Sequence, residues 1–385
     1  MKKTADSFLH WPAGTTVCDH QRGNRAAAAL TAAEPLPDVR KIAVLRANGL
    51  GDFIFTLPAL DALRRAYPEA EIVLLGKAWH RDFLAGRTIP VDRVVVVPAA
   101  RGVSVAEPAD ENAGELASFF GEMRDERFDL AFQLHGGGRY SNPFVKRLGA
   151  RVTIGLKTPD AEPLDRWLPY IYYQPEVFRF LEVVALAGAG AKDWEPQLAA
   201  NPADLDEAGR IVPASDAPCA VLHLGAGDSR RRWPAERFAR VGDALAHAGA
   251  QVVLNGTGEE RDLVDAVQAQ MREPAADLGP DCTFARLTGA LARAAVVVSC
   301  DSGPLHLARA VGAATVGIYW CGNLVNAGPT TRALHRPFVS WRLECSVCGT
   351  NTITGRCAHG ASFVDWVDAD EVAGAALELL ALAHG

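Results

Sequence analysis

The chain has 385 residues, 49% of them hydrophobic and 22% charged, with a formal net charge of −7 at neutral pH. That length suits two domains, and the composition suits sizeable apolar cores rather than disorder. The negative charge excludes a generally basic nucleic-acid or anionic-membrane binder, and the absence of a long apolar run or a leader-like N-terminus makes a cytoplasmic location the expectation, with at most peripheral membrane contact.

Residues 1–40 mix Ala, Arg, Pro and Thr without a period and read as an irregular extension. From Lys41 the pattern becomes regular. Strand 41–47 (KIAVLRA), an amphipathic helix running to Tyr67, strands 71–76 and 93–98, a helix at 109–124, strand 128–134, a helix at 141–149 and strand 151–156 are expected in turn. Apolar strands alternating with helices imply right-handed crossovers on a parallel sheet. A helix at 175–188 ends this first domain, 41–190, and the Ala/Gly/Pro-rich residues 191–216 read as a linker.

A second alternation fills 217–369. It comprises strand 219–227, helix 234–248, strand 251–257, helices 259–271 and 283–293, strand 295–301, helix 304–311 and strand 314–320. Residues 370–385 read as a closing amphipathic helix. The fold class is therefore α/β: two Rossmann-like, doubly wound domains, with ligands expected in a cleft at the carboxyl ends of both sheets.

The loops after strands carry the chemistry. In NGLGD, Gly49 and Gly51 let backbone approach a ligand, while Asp52 is either a helix cap or an acid placed for catalysis; Asn48 shares that loop. G-x-G-x-x-G and Gly-Lys-Ser/Thr are both absent, which weakens a dinucleotide or P-loop reading. GAGDSRRRWP, residues 225–234, offers forked guanidinium donors to a pyrophosphate. In SCDSGPLHLARAVG, 299–312, the Ser302 and Gly303 amides at a helix start can cradle a phosphate, and His306 can add a donor or simply pack. Glu259 or Glu260 can accept ribose hydroxyls or cap a helix. QLHGGGRYSN, 133–142, carries His135, Arg139 and Asn142, which either line an acceptor pocket or belong to a tight turn.

GLGDFIFTLPAL, GAGDSRRRWPAERFA and SCDSGPLHLARAVG, in that order over about residues 41–380, resemble glycosyltransferase family 9, the ADP-heptose-dependent heptosyltransferases. The resemblance implies a GT-B fold with the C-terminal helix crossing back to the first domain, and inverting transfer from ADP-heptose to a hydroxyl acceptor such as lipopolysaccharide inner core. It implies that Asp52 is the general base, that Asp301, Ser302, Gly303 and His306 hold the donor, and that Arg231, where the family usually has Lys, binds donor phosphate. No cofactor is implied for the transfer. A protein or small glycoside acceptor, a GT-B nucleotide-sugar epimerase, or a non-catalytic nucleotide-sugar binder are the competing readings.

Eight cysteines are too few for a disulfide scaffold in this length, and Cys219, Cys282, Cys300 and Cys321 sit in or beside apolar segments as small hydrophobes. CSVCGTNTITGRCAHG instead gathers Cys345, Cys348, Cys357 and His359, ligand types that suit a structural zinc or iron, although the eight-residue spacing is short for a zinc ribbon. A protein-modifying branch of the resembled family holds a metal in such a segment.

Overall fold

The computed structural model describes residues 34–105, 111–213, 215–353, 355 and 357–383. Most of the N-terminal extension lies outside them. Residues 34–40 join the first of two compact units: the Leu36 amide donates to the Tyr67 hydroxyl at 3.0 Å and the Arg40 amide to Asp129 Oδ2 at 2.7 Å.

The first unit is built on β1 (Lys41–Leu45), β2 (Glu71–Gly76), β3 (Arg93–Val96), β4 (Leu130–Gln133), β5 (Val152–Lys157) and β6 (Arg166–Pro169). All are parallel, in the order β3-β2-β1-β4-β5-β6. Ile42 to Leu45 and Ile72 to Leu75 are fully buried, because crossover helices cover both faces of a parallel sheet. The helix expected up to Tyr67 is divided into Leu50–Ile54 and Leu57–Ala66, the second starting with Pro58 in its first turn, where a missing N–H costs nothing. The helix expected from 109 begins at Ala113, since Asn112 Oδ1 accepts from the Gly114 and Glu115 amides.

The second unit, from Gln197, carries β7 (Cys219–His223), β8 (Gln251–Asn255), β9 (Ala276–Asp277), β10 (Ala294–Cys300), β11 (Ala314–Trp320) and β12 (His335–Ser340). Its order is β12-β11-β10-β7-β8-β9, again wholly parallel. Numbered from each unit's own first strand, both sheets read 3-2-1-4-5-6, the dinucleotide-fold order.

The expected linker contains regular structure. Residues 191–216 are not a plain linker, because Pro202–Gly209 is a helix with a reciprocal cap: Asp204 N donates to Asn201 Oδ1 at 2.9 Å, and Asn201 N to Asp204 Oδ2 at 2.8 Å. It packs so tightly on helix Phe284–Ala292 that a Cβ at Gly289 would lie 1.9 Å from the Asp204 carbonyl oxygen. Gly289→Ala is therefore expected to lower stability by about 1–3 kcal/mol, read as a shift of the urea midpoint at unchanged slope.

The closing helix, Ala369–Leu382, packs within the second unit. Val372, Ala376, Leu379 and Leu380 bury in the second core, against helix Ala235–His247 and strands β10 and β11. Spacings of three and four residues put these apolar groups on one face, and the second sheet supplies the surface that face needs.

Candidate functional site

In a sheet of this order, ligands bind beyond the strand ends where the winding reverses, between β1 and β4 in one unit and between β7 and β10 in the other. Four of the loops singled out in the sequence follow those four strands, and the one with Glu259 and Glu260 follows β8.

Beyond β1, Asp52 is the third residue of helix Leu50–Ile54 and Oδ2 accepts from the Gly49 amide at 3.1 Å, so it does close a helix start. The other oxygen does not serve the cap. Oδ1 accepts from Arg46 Nη2 at 3.2 Å, and the side chain stays 45% exposed. Asp52 thus combines a fixed orientation with access to solvent, which a general base requires.

Arg46, only 2% exposed, is the organiser that sequence reasoning passed over. Its Nε donates to the Asp52 carbonyl at 3.0 Å, Nη1 to the Leu134 carbonyl at 2.6 Å and Nη2 also to Glu176 Oε2 at 3.2 Å, with the guanidinium 4.7 Å above the Phe180 ring. The signal was a charged residue directly after an apolar strand. Arg46→Met should destabilise the chain by about 1–3 kcal/mol, since the buried Leu134 carbonyl loses its donor while Glu176 keeps Arg179, and Arg46→Lys should rescue poorly because one ammonium cannot reach the fork's acceptors; urea unfolding checks both.

Beyond β4, Ala47 N donates to His135 Nδ1 at 3.3 Å, which leaves the Nε2 position of the neutral ring as the donor. Burial, with the positive charge of Arg46, pushes the imidazole down to about 3. Asn142 is corrected. It is fully buried and Nδ2 donates to the Leu156 and Glu162 carbonyls, so it locks the turn instead of lining a pocket. Gly138, at φ +96°, is obligatory there, because a Cβ would lie 2.4 Å from the Asn142 side chain. Buried Gln133 ties the same turn to His135 and Gly136 carbonyls. Arg139 is half-exposed, 3.6 Å from Asp160, while Asn48 and Gly51 stay partly exposed beside Asp52.

Beyond β7, the arginine run forms one turn of 3-10 helix, Ser229–Arg231, capped by Asp228. Each arginine has a different task. Arg230 pairs with Asp228, whose carboxyl it holds below the usual range. Arg232 donates to the Ala226 carbonyl at 3.0 Å and lies 3.5 Å from Glu260. Arg231, 29% exposed, donates from Nη1 to Asp301 Oδ2 at 2.9 Å, its one hydrogen-bonded side-chain donor among the described residues. Trp233 anchors the turn: it is 1% exposed, its backbone N–H points at Cys300 Sγ and its indole N–H donates to the Val367 carbonyl.

Beyond β10, Asp301 is buried and its Oδ1 meets His306 Nε2 at 3.0 Å. Burial opposes ionisation, but the His306 hydrogen bond and the charges of His306 and Arg231 outweigh it and hold the carboxyl below its ordinary value. Both Asp301 oxygens are thus engaged, one by Arg231 and the other by His306. Ser302 caps helix Gly303–Ala310 through Leu305 N, with Ser299 Oγ 3.1 Å away. Arg231, Asp301, Ser302, Gly303 and His306 are thus brought together.

Glu260 is also corrected. It is 5% exposed and accepts from the Thr257 amide and hydroxyl, and a Cβ at Gly225 would lie 1.9 Å from its Oε1. Glu260 is therefore an internal strut, whereas Glu259 remains exposed.

Three histidines titrate low for the same reason. Burial pushes His80 and His223 down to about 4, as it does His135 to about 3. A base whose folded pKa lies below its unfolded value binds protons in the unfolded chain first, so stability falls as pH drops below about 6.5 and keeps falling to about 4. Thermal melts should show a lower Tm at pH 5 than at pH 7, a loss reduced by His80→Gln.

The cysteine segment forms a knuckle. Glu344 bridges Asn351, Gly349 N donates to the Cys345 carbonyl, and Gly349 has φ +70°. Ligand atoms of Cys345, Cys348, Cys357 and His359 all lie within 4.8 Å of one another, compared with about 3.8 Å between thiolates on a tetrahedral ion. Hydrogen bonding with Thr350 first, then with neighbouring ligands, pulls the Cys348 thiol down to about 6, which favours the thiolate that binds metal. These residues fit a tetrahedral Cys3His centre.

Two Rossmann-order sheets, with glycine, arginine and Asp-Ser-Gly loops at their switch points, form the α/β fold of GT-B glycosyltransferases. The glycosyltransferase family 9 (heptosyltransferase) model matches residues 116–350, more than half the chain, and the chain belongs to that family. It is 23% identical over 302 residues to lipopolysaccharide heptosyltransferase 2 of Salmonella typhimurium, covering 72% of this chain and 82% of the relative. The solved ADP-heptose LPS heptosyltransferase II of E. coli superposes with a TM-score of 0.69 at 18% identity, over 90% of this chain and all of that one. The iron-containing dodecameric glycosyltransferase TibC of enterotoxigenic E. coli superposes with a TM-score of 0.51 at 12% identity, over 90% and 77%. Among the described residues no helix is long and apolar enough to cross a membrane.

Proposed function

We propose that this glycosyltransferase transfers heptose from ADP-heptose to a hydroxyl of a lipopolysaccharide inner-core acceptor in the cytoplasm, with inversion at the anomeric carbon. The observation that carries this reading is the division of labour in the side chains: one accessible, oriented carboxylate at Asp52, and an Asp301-aligned Arg231 next to a Ser302-capped helix start. Asp52 takes the proton of the acceptor hydroxyl as the oxygen attacks. Arg231 and the Ser302 and Gly303 amides stabilise the charge that develops on the departing ADP. The names of the Salmonella and E. coli relatives support the sugar and the acceptor.

We also infer that Cys345, Cys348, Cys357 and His359 hold a zinc or iron ion with a structural task, a reading supported by the iron-containing relative. Such an ion crosslinks the segment and contributes its binding free energy to local folding. Elemental analysis of protein purified without chelator should find close to one equivalent.

The test of the transfer is an ADP-release assay with ADP-heptose, run with and without heptose-deficient lipopolysaccharide core. ADP should appear only when both are present. Epimerised nucleotide without acceptor, or no ADP under any condition, would overturn the reading.

A further inference from the structure

The arginine turn is held from outside by the segment that leaves the cysteine cluster. Phe363 N donates to the Arg230 carbonyl at 2.7 Å and Ser362 Oγ donates to the Arg232 carbonyl at 2.7 Å. These two bonds grip the backbone on either side of Arg231. A Cβ at Gly360 would lie 3.3 Å from Ser229 Oγ, so the segment also lies against the start of the turn. His359, a candidate ligand, is only three residues before Ser362. Arg342, three residues before Cys345, closes the far side by donating to the Ser362 carbonyl at 3.1 Å and pairing with Asp365 at 2.9 Å. Both flanks of the cluster therefore converge on 362–365, the residues that hold the turn.

We propose that the Cys345/Cys348/Cys357/His359 centre is a latch for the donor site: with metal bound, residues 360–363 hold Arg231 in register with Asp301, and loss of metal loosens the grip on a nucleoside diphosphate. Ser362 is accordingly a positioning residue. The inference rests on Arg231 being the diphosphate ligand and on the cluster holding an ion. Without an ion, one weak 3.7 Å contact of Cys345 Sγ with His359 Nδ1 is what ties these ligands together among the described residues, so the 357–363 segment recovers backbone freedom that must be lost again when Arg231 engages its ligand. Ordering that segment once, for the metal, lowers what the second ligand must order, and the coupling works in both directions.

The experiment is a calorimetric titration of ADP into metal-replete protein, reconstituted with Zn²⁺ or Fe²⁺ under reducing conditions, and into the same protein after chelation, with circular dichroism confirming retained secondary structure. Stripping should weaken ADP binding on the order of tenfold, and saturating ADP should slow metal loss to a chelator by a comparable factor. Ser362→Ala should retain the metal, weaken ADP binding about fivefold, and reduce the further effect of stripping. Stripped but folded protein that binds ADP within twofold of the replete form overturns the latch alone. A chain that takes up neither ion overturns it too. Replete protein that binds no ADP instead refutes the assignment of Arg231, and the latch with it.

Discussion

Asp52→Asn should lower kcat by about 10²–10⁴-fold while leaving ADP affinity within twofold of wild type, measured by ADP release and by calorimetry. The reason is a separation of tasks. In the proposed mechanism the carboxylate removes a proton only as the acceptor oxygen attacks, whereas the ADP ligands are Arg231 and the 302–303 amides. The asparagine keeps one acceptor for the Gly49 amide, 3.1 Å away in the wild type, and loses the ionic contact with Arg46. That contact is half-exposed on the Asp52 side, so its loss should cost about 1 kcal/mol or less. A melting curve close to wild type beside a collapsed kcat separates catalysis from folding. Near-normal turnover would remove Asp52 from the mechanism.

Arg231→Ala should weaken ADP binding by about 10–100-fold, because a charge-assisted donor to the diphosphate is lost. It also leaves Asp301 buried with His306 as its remaining partner, so a fall in Tm should accompany the loss. Arg231→Lys should recover much of the affinity, since a lysine can supply one strong donor to phosphate, although not the fork. Arg230→Ala is the contrasting variant. Arg230 is committed to Asp228, so its removal should change ADP affinity much less. Equal effects at 230 and 231 would mean that the turn acts as a diffuse basic patch rather than through one aligned guanidinium.

Much of the fold was legible because a parallel sheet buried on both faces demands continuous apolar runs, and EIVLLG, CAVLH and AVVVSC are such runs. Once those strands were placed, the loops after them followed, and with them the positions of Asp52, Arg231 and Asp301. The missed strands show the limit of that signal. β6 reads RWLP, a half-exposed edge carrying a proline, and β12 reads HRPFVS, where polar residues break the apolar pattern. Helix Pro202–Gly209 was hidden because its reason for existing is the groove over Gly289, a partner some eighty residues away.

Within the site, the residue types were legible and their directions were not. Glu259 and Glu260 look equivalent in sequence. Only the absence of a side chain at Gly225 makes room for Glu260 to turn inward and leave Glu259 outside. Asn142 is withdrawn by two carbonyls that come from β5 and the loop after it. Arg46 organises Asp52, Leu134 and Glu176, three groups scattered over more than a hundred residues, and no local pattern announces such a junction. Long-range polar contacts of this kind follow from the fold and do not precede it.

The most direct test of the central claim, that the second unit grips an adenosine diphosphate donor through Arg231 and the 301–303 turn, is a thermal-shift comparison of ADP, UDP and GDP on wild type and Arg231→Ala. A nucleotide bound by the native state alone raises Tm with concentration. The rise with ADP should exceed those with UDP and GDP and be largely lost in Arg231→Ala. An ADP response that is absent, or that survives unchanged in the variant, would contradict it.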